Sequence, residues 1–121
     1  MAKKNAIRLH LRKTAAGDAT DLLYYPDNES VQDGQRHHIT LLSFEDETSS
    51  PTEIQVDIIH VAKTFRLFEQ IAPAAGRTYF ADDEIVLTTG ERLRVYFSGA
   101  TASDVLDVWL QGYWVKEAED A

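Results

Sequence analysis

An all-β fold in a single domain, an antiparallel β-sandwich or a jelly-roll-like variant of one, is what this sequence predicts, on three observations. Apolar residues recur with period two in several short runs. Turn-forming residues interrupt those runs at intervals of roughly eight to twelve residues. Helical spacing appears in one stretch only, Ala62 to Ala75, where Phe65, Phe68 and Ile71 fall three apart. The β-branched and aromatic composition of Thr64–Phe68 favours a strand even there. A chain of 121 residues suits one hydrophobic core, and 44% hydrophobic with 26% charged residues excludes disorder as the main state.

The elements follow in order. Residues 1–19 read as an N-terminal segment, with charges interleaved among apolar side chains and no signal-peptide core. The sandwich is expected over residues 20–115. An apolar run ends at Tyr24-Tyr25-Pro26, and Gln32-Asp33-Gly34-Gln35 is turn-like. His37–Phe44 is a strand of mixed burial, and Glu45–Pro51 is a polar loop. In Glu53–Val61, Ile54, Val56 and Ile58 share one face while Gln55 and Asp57 take the other. After Thr64–Phe68, Pro73-Ala74-Ala75-Gly76 breaks the chain, followed by Tyr79-Phe80 and Glu84–Leu87. Thr88-Thr89-Gly90-Glu91 is a hairpin turn. Beyond it Leu93, Val95 and Phe97 oppose Arg92, Arg94 and Tyr96, the cleanest half-buried pattern in the chain. The last strand, Val105–Val115, carries Leu106, Val108, Leu110 and Trp114 in one row, with a gap at Gly112 where a neighbour can approach. Residues 116–121 form a charged tail.

Composition removes several function classes. A net charge of −8 opposes binding to nucleic-acid phosphates and to anionic lipid surfaces. No apolar stretch approaches the roughly 18 residues that cross a bilayer. The absence of cysteine removes disulfides, thiolate zinc sites and cysteine nucleophiles. His37 and His38 are adjacent and on a strand face opposite ways, and His10 and His60 stand apart. Ser43, Ser98 and Ser103 lack a nucleophile-elbow setting, and the glycines are scattered as turn punctuation. Glu45-Asp46-Glu47 and Asp82-Asp83-Glu84 lack the spaced ligands of a calcium loop and read as solvated acidic loops. The expectation is a non-enzyme with no cofactor and no metal.

Exposed aromatics carry the positive signal. Trp109 and Tyr113, with Gln111 between them, lie opposite the core row of the last strand, and Tyr96 shares a face with Arg92 and Arg94. Large aromatics with Arg on a face that ought to be polar are the composition of protein interfaces. These six residues are the candidate partner interface. Stacking on sugar rings, as in a carbohydrate-binding module recognising a host glycan, is the alternative use of such a face.

The order of segments adds a resemblance. Leu22-Leu23-Tyr24-Tyr25-Pro26 is followed by His38–Leu42, Ile54–Val61, Ile71–Gly76, Glu84–Val95 and Ala100–Val108 with Gly112. This order resembles small β-sandwich virion structural proteins of tailed bacteriophages, over most of Thr20 to Val115. Asp27-Asn28-Glu29 departs from the tight turn usual after that proline. The resemblance implies a capsid cement or decoration protein, or else a neck or tail subunit. It would be made in the host cytoplasm, located in the virion, and homo-oligomeric, with the major capsid protein or neck and tail proteins as partners. It carries over no catalytic residue. In that setting Lys3, Lys4, Arg8, Arg12 and Lys13 are candidates for an N-terminal arm reaching an acidic neighbour, against a plain solvated terminus.

Overall fold

The computed structural model describes residues 3–16, 20–26, 29–81 and 83–116. Among them there are nine strands and no helix: β1 (Asn5–Thr14), β2 (Thr20–Tyr25), β3 (Gln35–Asp46), β4 (Glu53–His60), β5 (Lys63–Ile71), β6 (Tyr79–Phe80), β7 (Ile85–Leu87), β8 (Glu91–Ser98) and β9 (Val105–Lys116). They form two antiparallel sheets. The first has the order β1-β9-β3-β6, with β7 also on β3; the second has the order β2-β8-β4-β5. The molecule is a β-sandwich, as the period-two pattern predicts.

The core lies between the sheets and is built by alternation. Leu93, Val95 and Phe97 on β8 meet Ile54 and Val56 on β4, and these face Leu106, Val108 and Leu110 on β9. Each such side chain, removed from water, contributes about 1.5–3 kcal/mol. The mixed burial of β3 has a specific cause. The register between β3 and β9 shifts between Ile39 and Leu41, so Thr40 is an extra residue and the inward parity changes. Ile39 points in before the bulge; Leu42 and Phe44 point in after it, and Leu41 is left outside. Gly112 pairs with Ile39 at this point, and a Cβ there would stand 1.8 Å from the His38 carbonyl oxygen. The gap expected at Gly112 is filled by backbone of β3.

Lys63–Ile71 is a strand. It is an edge strand with its own bulge, between Val56 and Asp57 of β4, which leaves Leu67 outside the ladder and turns Phe68 toward the core.

The N-terminal expectation is corrected. Asn5–Thr14 is not a free arm: it pairs with β9 from Asn5↔Trp114 to Thr14↔Val105. Arg8, Arg12 and Lys13 are strand residues, and Arg12 lies 3.5 Å from Glu47 and 3.9 Å from Asp107. Lys4 sits 4.5 Å from the centre of the Tyr113 ring, while Lys3 is exposed ahead of the strand. The reason is in the residues themselves, because Ile7, Leu9 and Leu11 alternate with Arg8, His10 and Arg12. Of residues 116–121, Lys116 ends β9 and the remainder lies outside the described residues.

Candidate docking face

β9 runs between β1 and β3, so its outward side chains occupy the middle of the first sheet's outer surface. The register sets them in rows. His10, Trp109, Ser43 and Phe80 form one, Arg8, Gln111 and Leu41 the next, and Ala6, Tyr113, His38 and Val86 a third. Trp109 is 49% exposed and Phe80 53%, with Leu41 and Val86 exposed beside them.

The aromatics are held in place by stacking. The His10 ring lies flat on Trp109, with centroids 3.7 Å apart and planes 4° from parallel. His10 Nε2 is in turn 2.6 Å from Oδ1 of Asp107, which is buried. Tyr113 stacks on His38 at 4.6 Å while Lys4 stands over the Tyr113 ring. His38 Nδ1 lies 3.0 Å from Glu84. Side chains fixed in this way lose little freedom when a partner arrives, which lowers the entropic cost of docking.

The six candidate interface residues do not form one surface. Trp109, Gln111 and Tyr113 are on the outer face of the first sheet. Arg92, Arg94 and Tyr96 are on the outer face of the second, on the far side of the sandwich. There the side chains are occupied within the subunit. Arg94 donates to Asp57 Oδ2 at 2.8 Å and stands 5.8 Å over Tyr96. Arg92 donates to the Pro26 carbonyl at 3.2 Å and covers the Tyr24 ring at 4.2 Å. Asp57, opposite in parity to the core row, is nonetheless fully buried, because Arg94 and Arg66 close over it. Arg66 also donates to Gln55 at 2.7 Å. No local spacing announces this network: its members lie on three strands and meet only through pairing.

A second buried polar group lies at the end of the sandwich. Asp46 accepts from the backbone N–H groups of Thr48 and Ser49 at 2.9 and 3.0 Å. Asp104 accepts from the Ser49 hydroxyl and from the Thr101 N–H. Burial, and then the neighbouring Asp104, push the Asp46 carboxyl up to about 6. Burial opposes ionisation of Asp104 as well. The hydrogen bonds from Asp46, Ser49 and Thr101 outweigh it and hold the Asp104 carboxyl below its ordinary range. In mildly acid solution Asp46 is therefore the carboxyl that keeps its proton, while Asp104 is ionised. A group whose pKa is raised by folding stabilises the fold fully below its ordinary value of 3.8, and that contribution is lost as pH rises through about 6. The lowered His37 pKa works the other way over the same range, so the Asp46 contribution is read against Asp46→Asn: the wild-type Tm should fall relative to that of the variant between pH 4.5 and 7.5, and an identical slope in the two would remove the pair as a source. Glu45-Asp46-Glu47 is thus not simply a solvated loop, since its middle carboxyl is buried. Asp83 and Glu84 of the other acidic run are exposed, and Asp82 lies outside the described residues. Among the described residues no group of three or more His, Asp or Glu side chains is placed to hold a metal ion.

No family model matches the sequence, and no curated protein does. Solved structures resemble it at low identity. The Drosophila NLP core, described for pentamer formation and histone binding, matches at 15% identity and a TM-score of 0.48, over 93% of this chain and 99% of its own. An infectious bursal disease virus structure of the Gx strain matches at 12% identity and a TM-score of 0.43, over 95% of this chain and 30% of its own. A CBM4 structure matches at 8% identity and a TM-score of 0.40, over 91% of this chain and 84% of its own. The fold of this chain, a sandwich of two antiparallel sheets, is read from its own strand pairing.

Proposed function

We propose that this chain is a non-enzymatic structural protein of a tailed-phage virion, most specifically a capsid cement or decoration subunit, that docks through the outer face of its first sheet. The observation that carries the reading is the patch of Trp109, Leu41, Phe80 and Val86, exposed together on one sheet face and braced by stacked His10 and His38. An exposed apolar and aromatic patch of this kind is costly to leave in water and marks a protein interface. The cations Lys4, Arg8 and Arg12 flank the patch on the β1 side, which suits an acidic neighbour such as another virion subunit. Symmetric homo-oligomers are the natural unit for such a part, since many weak contacts around a particle multiply into stable attachment.

The test is co-sedimentation of the purified chain with particles stripped of it, together with light scattering of the free chain. Trp109→Ala and Tyr113→Ser are each expected to lower particle binding at least about tenfold, the loss of one central aromatic contact. The melting transition should stay close to that of the wild type. Full binding by the Trp109→Ala, Tyr113→Ser double variant would remove this face from the reading.

A further inference from the structure

β1 and β2 are the edge strands of opposite sheets and are not paired with each other. A cleft of about 470 Å³ lies there, within the size range of small-molecule sites. It is separate from the docking face, because it is lined from the inward side of β1 by Leu9 and Leu11. Leu9 pairs with core residue Leu110 and shares its parity, yet it remains 41% exposed. Trp114 and Tyr25 bring aromatic rings to the same cleft.

The polar groups of the cleft have assigned directions. Burial pushes the Tyr25 hydroxyl up to about 12, so it keeps its proton. Burial, then the neighbouring His38, lowers the His37 pKa, so that ring is neutral at pH 7 and carries one proton. Tyr25 Oη is 2.8 Å from His37 Nδ1, and His37 Nε2 is 2.9 Å from Gln35 Oε1. An amide oxygen only accepts, so the His37 proton is on Nε2 and Nδ1 accepts from Tyr25. The Gln35 carbonyl thereby accepts from His37, which leaves the NH₂ donors for a ligand. Gln32 and the Glu29 carboxylate complete the rim.

We propose that this cleft binds a neutral hexose oligosaccharide. A sugar ring presents an apolar C–H face, which fits Leu9 and Trp114, and an edge of hydroxyls. Those hydroxyls accept from the Gln35 amide and donate to Glu29. The carboxylate on the rim, in a chain of net charge −8, excludes an anionic sugar. The wired Tyr25–His37–Gln35 chain fixes the amide in advance, so little ordering is needed on binding.

The experiment is a ¹H–¹⁵N NMR titration of the full chain with maltotriose, cellotriose and laminaritriose in turn. At least one trisaccharide should move the signals of Leu9, Gln35, His37 and the Trp114 indole. Gln35→Leu should weaken that binding about tenfold, the loss of one hydrogen bond to a positioned donor. Should Gln35→Leu fail to fold, Gln32→Leu, at an exposed position, gives the second reading of the same rim. Trp109→Ala should leave the titration unchanged while weakening particle binding, so that failure here and failure of the docking face are distinguishable. Absence of shifts at the four signals with all three sugars, or shifts confined to Trp109 and Tyr113, would overturn the assignment.

Discussion

Leu106→Asp is expected to abolish cooperative folding. Leu106 is fully buried on β9, which is paired on both sides, and in the register it stands directly opposite Asp46. A carboxylate at that position adds like charge beside a buried acid, with only the half-buried Lys13 of edge strand β1 opposite it on the other side. Burying an unpaired charge costs several kcal/mol, and a domain of this size has a total stability of about 5–15 kcal/mol. Protonation of the new carboxyl would reduce the cost but would still leave a polar group in place of a core leucine. Far-UV circular dichroism should show loss of the strand signal, with no sigmoidal melt. The control is Trp109→Asp three positions along the same strand, at the exposed surface, which should retain a cooperative transition. A wild-type melt for Leu106→Asp would mean that the inward face of β9 has been misidentified.

Gly112→Ala is expected to cost about 3 kcal/mol, the upper end of overpacking effects. The cause is not backbone conformation but space: the added Cβ would stand 1.8 Å from the His38 carbonyl oxygen and 2.9 Å from its carbon. Those are main-chain atoms of β3, held by the ladder, and no rotamer change relieves the contact. Relief requires β3 and β9 to separate where the Thr40 bulge brings them together, and the Thr40 hydroxyl bond to the Gln111 carbonyl, 3.2 Å, would be strained with them. Urea denaturation gives the measurement. A loss below about 1 kcal/mol would show that the two strands part easily at the bulge, against the close packing expected of a sheet centre.

The two variants probe features that are legible in the sequence. The inward row Leu106, Val108, Leu110 was readable because side chains on a strand alternate strictly, and alternation is a local property. The same holds for Leu93, Val95 and Phe97, and for Gly112 as a place of close approach. The segment Asn5–Thr14 carried the same alternation, but its charges and its terminal position suggested an arm. What made it a strand was the unpaired edge of β9, which lies about a hundred residues away in the chain. β3 was legible as a strand but not in its burial, since one extra residue at Thr40 changes the parity of everything after it.

For the docking face, the chain sequence alone determined that Trp109 and Tyr113 point away from the core row. It did not determine that His10 and His38 would lie flat against them, or that Phe80 and Leu41 would extend the patch. Nor could it separate the two groups of candidates. Arg92, Arg94 and Tyr96 have the same composition as a docking surface, and only strand pairing brings Asp57 to Arg94 and the Tyr24 ring to Arg92. The cleft beside β1 is likewise a product of sheet assembly, because its lining comes from β1, β2, β3 and β9 together. The division has one physical reason. Alternation, turns and charge are set by neighbours along the chain, whereas burial of a polar group and exposure of an apolar one depend on which distant strand is placed alongside.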